Sequence, residues 1–281
     1  MDATPQRQPY ASDLTDPQGR VLQPLRPPPV RAGAPRTTDL REGLKAIRYR
    51  LHYGCAWHAR PHDLPPEGTV RDSCHRWRRA GLGAQLPDRL RRQLRRAEGR
   101  NDEPTAAIRD RQAVKGTRSR GVRGSDGGQK STGSKRPIRV DTLGLRLGGV
   151  VHAARIPDRD GAKLVFARAG RQLPTIPLVW AEGGYAGQLI PWLWTRCAWV
   201  LELVKRSAAA TGWVLLPRRW VVERPFAWRS NGRALARDSA YHPETTAAWI
   251  QIGRIHRLLR RLTKGKPTCP KVRALVNCTG V

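Results

Sequence analysis

The chain has 281 residues, with 53 Lys and Arg against 22 Asp and Glu, which gives a formal net charge of +31. A length prior of about 150 residues per domain predicts roughly two domains, and so strong a positive charge predicts a polyanionic partner, for which nucleic acid is the commonest choice. The chain lacks the ~20 consecutive apolar residues of a membrane span and a secretory-signal pattern, and its five cysteines are scattered. These features predict a cytoplasmic protein and exclude a disulfide-framework protein.

The N-terminal part is predicted to be a small helical domain over residues 13–98. Residues 1–12 are interpreted as a disordered tail, and the Pro-rich stretch from Pro24 to Pro35 as a linker. Four apolar stripes at helical spacing predict the helices. The first is expected to begin near Asp16, Thr38 or Asp39 to cap the second and Thr69 the third. Leu86, Leu90 and Leu94 mark the fourth. Their polar faces are nearly all Arg, which is compatible with DNA binding and equally with a solvated basic surface.

Five possible soft-metal ligands lie within this domain: Cys55, His58, His62, Cys74 and His75. Their spacing matches no standard zinc pattern. Ordinary buried cysteines and surface histidines are therefore favoured over a zinc site.

From Asn101 the pattern changes to short apolar runs separated by Gly and Pro, with helical stretches between the later runs. Strands are predicted at 105–109, 138–143, 147–152, 178–181 and 200–204, and helices at 160–169 and 185–197. This alternation predicts an α/β layer with a mixed sheet. Residues 116–136 are rich in Gly, Ser, Lys and Arg and predict a mobile basic loop. A last helical stripe, Ile252 to Leu262, precedes a tail over 263–281.

Three acidic residues stand at the ends of apolar runs: Asp110, Glu182 and Glu223. Phosphodiester chemistry needs an activated nucleophile and a neutralised developing charge, and two Mg²⁺ or Mn²⁺ ions roughly 4 Å apart supply both when carboxylates hold them. Arg219 would share a helix face with Glu223 and could contact phosphate. On the residues alone, the alternative is that three acids fall at element ends by chance.

Seven short motifs follow one another along the chain. They are Tyr10 to Leu25, Tyr53 to Trp57, Arg76 to Arg79, Val140 to Leu145, Asp158 to Ala162, Gly183 to Gly187 and Pro217 to Trp228. In this uninterrupted order, over about residues 10 to 262, they resemble the bacterial insertion-sequence transposases of the insertion-sequence-five type. That family is a member of the DDE superfamily.

The resemblance implies a ribonuclease-H-like α/β catalytic domain over 101–262, preceded by a small all-helical domain over 13–98 that binds the element's ends. It implies that Asp110, Glu182 and Glu223 are the catalytic and metal-binding acids, holding Mg²⁺ or Mn²⁺. The predicted DNA contacts are Arg219, Arg224, Lys115, Arg76, Arg78 and Arg79. The implied partners are terminal inverted repeats and target DNA, bound by a homodimer or higher assembly at the bacterial nucleoid.

Several positions depart from the family pattern. Glu182 stands where the family has Asp, and its extra methylene moves the carboxylate by about 1 Å. Arg48 falls on an apolar helix face, Arg109 and Arg111 flank Asp110, and Pro225 follows Glu223 closely. Two interpretations stay open: a catalytically impaired DNA-binding remnant, or a tolerated variant whose arginines serve DNA.

The tryptophans Trp192, Trp194 and Trp199 sit in apolar neighbourhoods. They are predicted to lie in the core rather than to stack on bases.

Overall fold

The computed structural model describes residues 7–25, 38–117, 124–126, 131–169, 175–182, 185–204 and 232–264. Within these ranges, the side chains of a few residues lie outside the description: Leu82, Asp110, Asp126, Ser131, Arg168, Ala169 and Glu182. None of the helices in the described ranges has the length and apolar character needed to cross a membrane.

The described part is a mixed sheet with helices packed around it. The helices are α1 Asp16–Leu22, α2 Leu40–Tyr53, α3 Glu67–Arg79, α4 Leu82–Ala97, α5 Asp158–Ala169, α6 Leu189–Cys197, α7 Arg233–Ala236 and α8 Pro243–Thr263. The strands are β1 Ala106–Lys115, β2 Gly124–Asp126, β3 Ser131–Val140, β4 Arg146–Gly149, β5 His152–Ala153, β6 Leu178–Glu182 and β7 Val200–Val204. This confirms the predicted α/β class with a preceding helical region.

Local sequence explains the ends of α2. The Asp39 side chain accepts a hydrogen bond from the backbone N–H of Arg41 (3.0 Å), which caps the first turn as predicted. The helix ends at Gly54, whose φ of 71° is left-handed. A Cβ atom at Gly54 would lie 3.0 Å from the Cβ of Arg233, so glycine also permits close packing against α7.

Two predictions for the N-terminal region are corrected. Helix α3 begins at Glu67, so Thr69 lies inside it and does not cap it. Residues 7–12 are packed, although a disordered tail was predicted: Ser12 is buried, and the Tyr10 hydroxyl donates to Asp63 Oδ1 over 2.9 Å. Ion pairing also holds this segment, since Arg7 Nη2 lies 2.8 Å from Asp13 Oδ2. Residues 1–6 lie outside the described part.

The helical layer is built from both ends of the described chain. Trp249 and Ile250 of α8 pack into one cluster with α2 and α3, and Leu258 and Leu259 pack into a second with Leu90 of α4. Helix α8 was predicted as part of the catalytic domain over 101–262. In the structure the apolar stripe of α8 has its main partners in the N-terminal helices, so the helix packs against the predicted helical domain.

The sheet has the order β2-β3-β1-β6-β7, with β4 and β5 also paired to β3. Strand β3 pairs antiparallel with β1, β2, β4 and β5, whereas β6 pairs parallel with β1 and with β7. Helix α5 connects β5 to β6 and α6 lies between β6 and β7, so helices cross between the parallel strands as such connections require.

The predicted mobile loop over 116–136 is contradicted at two places. Residues 124–126 form β2, and residues 131–136 are the first half of β3, paired with β1 as far as Lys115↔Gly133. The basic side chains of this half-strand have partners: Lys135 Nζ lies 3.1 Å from Asp158 Oδ1, and Arg136 Nη1 donates to the Leu235 carbonyl over 2.7 Å. Basic composition therefore did not prevent strand formation.

Each face of the sheet has its own core. One face packs Ala107, Val179 and Leu201 against Phe166 of α5 and Leu193 of α6. The other carries a smaller cluster of Ile108, Ile138, Val140 and Trp180.

The three tryptophans near α6 differ in burial. Trp199 is buried and Trp192 packs against the larger core, as predicted. The prediction is wrong for Trp194, which is 63% exposed because it lies on the outer side of α6.

Candidate active site and DNA-binding surface

Asp110 lies in the interior of β1. The predicted strand ended at Arg109, but the pairing with β3 continues through Asp110↔Ile138 to Lys115↔Gly133. The backbone at Asp110 is therefore fixed from both directions along the strand, which is a rigid position for a functional residue.

Glu182 is the last residue of β6, the parallel neighbour of β1. The two strands pair as Ala106↔Leu178, Ala107↔Val179 and Ile108↔Trp180. Continuing that register by two positions sets the backbone of Asp110 level with that of Glu182, on strands about 4.8 Å apart. Positions 110 and 182 each come two residues after Ile108 and Trp180, so they fall on the same face of the sheet as those residues.

A further carboxylate, Glu202, belongs to this face of the sheet and is absent from the predicted site residues. It pairs with Trp180 across β6 and β7, and the Trp180 indole Nε1–H donates to Glu202 Oε2 over 2.7 Å. Glu202 is exposed. An acid in the middle of the apolar run Val200 to Val204 is the sequence signal that could have identified it.

Two buried arginines oppose each other on the other face of the sheet. Arg109 and Arg139 are direct partners across β1 and β3. The Arg109 guanidinium lies 4.2 Å from the ring centroid of Tyr185, and that of Arg139 lies 5.5 Å from the ring of Trp199. Burial, with the charge of Arg109 in addition, lowers the pKa of Arg139 to about 9. Cation–π contact offsets part of the desolvation cost, but two like charges share one core.

Arg111 and Arg48, which also depart from the family pattern, form polar contacts. Arg111 Nε lies 2.7 Å from Asp158 Oδ2. Arg48 is buried on α2, where its Nη1 donates to Gln18 Oε1 over 3.1 Å and its Nη2 lies 3.4 Å from His256 Nε2. Burial lowers the pKa of Arg48 to about 10.

Three predicted site residues lie outside the described residues: Arg219, Glu223 and Arg224. In the described ranges, no group of three or more His, Cys, Asp or Glu side chains is placed to hold a metal ion. The described side chains therefore do not include an assembled metal centre, and the side chains of all three predicted acids fall outside them.

Helix α3 presents an exposed row of predicted DNA contacts: Arg76, Arg78 and Arg79. The neighbouring helix α4 differs, because its exposed Arg92 and Arg96 are paired with acids of the following loop. Lys115 is exposed at the end of β1. Arg76, Arg78 and Arg79 of α3 are thus accessible to a polyanion.

Two family models match the chain. A family described as "Putative transposase of IS4/5 family (DUF4096)" matches residues 14–86, and one described as "Transposase DDE domain" matches residues 101–257, which is more than half of the chain. No curated protein and no solved structure matches it. The first match covers α1 to α3, and the second covers the whole sheet and most of α8. The chain belongs to the DDE transposases of the IS4/IS5 type, and its sheet is the ribonuclease-H-like core of that family.

Proposed function

We propose that this chain cuts DNA at the ends of an insertion element and joins the freed 3′ hydroxyl to target DNA. The observation that supports the proposal is the parallel pairing of β1 with β6 as far as Ile108↔Trp180 in a transposase DDE domain; continued by two positions, this register would set the backbones of Asp110 and Glu182 level. Glu223 is proposed as the third acid of the same centre.

The proposed donor set suits a hard divalent cation. Asp110, Glu182 and Glu223 would supply only carboxylate oxygens, the ligands that Mg²⁺ and Mn²⁺ prefer. Bound Mg²⁺ would supply activation of the attacking hydroxyl and neutralisation of charge on phosphorus. The chain's own part is to hold the carboxylates of Asp110 and Glu182 on strand backbone and to orient the DNA phosphate, for which Arg219 and Arg224 are the proposed contacts.

The helical region is proposed to bind the terminal inverted repeats. Arg76, Arg78 and Arg79 on α3 are exposed, and the net charge of +31 favours a polyanion. Cutting two element ends together requires two active sites, so a homodimer or higher assembly on DNA in the bacterial cytoplasm is proposed.

A cleavage assay tests the function. Labelled DNA carrying the element's end and its flank is incubated with Mg²⁺ or Mn²⁺ and the wild-type protein, Asp110→Asn or Glu223→Gln. Each variant should lower the cleavage rate by about two to three orders of magnitude, because charge neutralisation at the reacting phosphate is lost. Asp160→Asn, the same chemical change at an exposed position of α5, is the control and should cut normally. Undiminished cleavage by either site variant removes that residue from the centre.

A second candidate is a catalytically impaired remnant that still binds element ends. The opposed Arg109 and Arg139 directly beside Asp110 favour it, because like charges in one core strain the strand pair that carries the site. The longer side chain of Glu182 favours it too, since misplacement by about 1 Å can cost about a hundredfold in rate. Binding without cleavage in the wild type, with cleavage restored by Glu182→Asp, would establish this candidate; equal rates for both proteins would exclude Glu182 as the cause.

A further inference from the structure

Three distant segments meet at the far end of the β1–β3 ribbon. Lys115 pairs with Gly133, and its carbonyl accepts a hydrogen bond of 3.0 Å from the backbone N–H of Asp238. Gly133 in turn accepts one of 3.1 Å from the N–H of Ala154. A side chain at Gly133 would collide with the Val114 carbonyl, so this close meeting of backbones requires glycine. The fold thereby gathers Lys115, Arg155 and Arg237 at one place.

Two acids whose side chains are described near this place, Asp238 and Asp158, have partners inside the protein. Asp238 accepts a hydrogen bond from Thr246 Oγ1 (2.6 Å) and another from Ser134 Oγ. Asp158 is held by Arg111 and Lys135.

The cations, by contrast, face outward. Lys115, Arg155 and Arg237 are exposed, and none of them forms an ion pair with another described residue. The surface made by these three side chains, which we call the ribbon-end surface, is therefore cationic.

The fold connects the ribbon-end surface to both proposed DNA contacts, Asp110 and helix α3. Lys115 is five residues beyond Asp110 on the same strand, which is about 17 Å at the usual strand rise. The same length of duplex holds about five base pairs. Arg237 follows directly after α7, which packs against the end of α2, and α2 packs against α3. The surface thus lies between the helical bundle and the strand of Asp110.

We infer that Lys115, Arg155 and Arg237 form a second grip on the DNA backbone, holding the duplex between the α3 contact and the scissile phosphate. The surface consists of one lysine and two arginines, with no apolar side chain among the three. This composition suits contact with DNA phosphates rather than recognition of base edges. The inference rests on the proposed function, because it presumes a duplex that runs from α3 to Asp110.

Two measurements on one variant test the inference. The variant Lys115→Gln/Arg155→Gln/Arg237→Gln is compared with a control that loses three other exposed charges, Arg20→Gln/Arg196→Gln/Lys264→Gln. Each lost phosphate contact lowers the slope of log affinity against log salt by about 0.9, so the ribbon-end variant should lose about 2 to 3 in slope and the control less than about 1. Phosphate-ethylation interference should show contacts about five base pairs from the cut in the wild type and in the control, and their loss in the variant.

The outcomes separate this inference from the proposed function. Unchanged slope and unchanged interference in the ribbon-end variant overturn the inference alone, provided that the wild type binds element ends and that Arg76→Gln/Arg78→Gln/Arg79→Gln weakens this binding. A wild-type protein that does not bind element-end DNA overturns both. Circular dichroism of each variant checks that it is folded. The variants are expected to fold, because the substituted side chains are exposed.

Discussion

Arg139 is a charged residue buried among aromatic side chains. It lies in the core between β3 and α5, opposite Arg109, and two of its guanidinium nitrogens have no hydrogen-bond partner among the described residues. Replacing a buried ion pair by well-packed apolar residues is often neutral or stabilising by about 1–4 kcal/mol, and Arg139 has a like charge, Arg109, as its strand partner. We expect Arg139→Val to raise the free energy of unfolding by that order, measured by urea denaturation.

Arg136 provides the matched control on the same strand. It is equally buried, but it donates to the Leu235 carbonyl and lies 3.8 Å from Asp238 Oδ1. Arg136→Val should therefore destabilise the protein, because it leaves the Leu235 carbonyl without this donor and Asp238 without a neighbouring cation. If Arg139→Val also destabilises, the cation–π contacts with the aromatic core outweigh the desolvation cost, and the strained-core explanation is wrong.

His256 on α8 makes the helical layer sensitive to acid. Burial, with the charges of Arg48 and Arg260 in addition, lowers the pKa of His256 to about 3. Between pH 6.5 and pH 3 the unfolded chain therefore binds a proton that the folded chain does not, so stability rises with pH in this window and is lost as pH falls through it. Each unit of pKa difference corresponds to about 1.4 kcal/mol.

We expect His256→Gln to lose less stability than the wild type between pH 6.5 and 3, measured by denaturation at each pH. Carboxylates titrate in the same window in both proteins, so the difference between the two curves isolates the histidine. Parallel curves would show that His256 is protonated in the folded state or accessible to solvent.

At the scale of elements, Asp141 joins α4 to the end of β3. It is fully buried, its Oδ2 lies 2.5 Å from Arg95 Nη1, and its Oδ1 accepts from the backbone N–H groups of Leu143 (3.0 Å) and Leu145 (2.8 Å). One carboxylate thus fixes a turn and pairs with the helical layer. This gives a structural reason for the motif Val140 to Leu145.

We expect Asp141→Asn to cost about 3–5 kcal/mol of stability, because it leaves the buried Arg95 charge without its counter-ion. Asp102→Asn removes an acid from a pair with the exposed Arg96 and should cost far less, because solvent screens that pair. Thermal and urea unfolding of both variants measure the difference. Similar small losses for the two would mean that solvent reaches the Asp141 pair.

The sequence predicted the elements that bury an apolar face and missed those whose pairing is polar. Strand β7 and helices α2 and α4 were located well, because their apolar periodicity is strong. The first half of β3 was predicted as a loop, because Lys135 and Arg136 were expected to face solvent. In the structure Lys135 pairs with Asp158, and Arg136 donates to the Leu235 carbonyl. Such partners are distant in sequence, so local pattern cannot reveal them.

In the candidate site, too, local sequence pattern located residues but not their neighbours in space. Asp110 and Glu182 were found from their place beside apolar runs, and the resemblance to transposases assigned their roles. The sequence could not give the parallel register that sets the two backbones level, nor the position of Glu202 beside Trp180. Both depend on which strands become neighbours. The roles of the three acids stay predictions.

At the scale of the whole molecule, the helical layer depends on the C-terminal helix. Helix α8 supplies Trp249, Ile250, Leu258 and Leu259 to the two clusters that hold α1 to α4 together. A chain that ends after His242 should lose this core and much of its helical signal, whereas one that ends after Lys264 should unfold like the full chain. Circular dichroism with thermal unfolding checks both; a stable bundle without α8 would contradict the packing described.

The central claim is that Asp110, Glu182 and Glu223 meet at one cation, and iron-directed cleavage of the protein itself tests it most directly. Fe²⁺ in place of Mg²⁺, with ascorbate and peroxide, generates radicals that cut the backbone close to the bound metal. The account predicts cuts near residues 110, 182 and 223 together, suppressed by excess Mg²⁺ and abolished at all three places by Asp110→Asn. Cuts at only one of these places, or cuts that Mg²⁺ does not suppress, would contradict it.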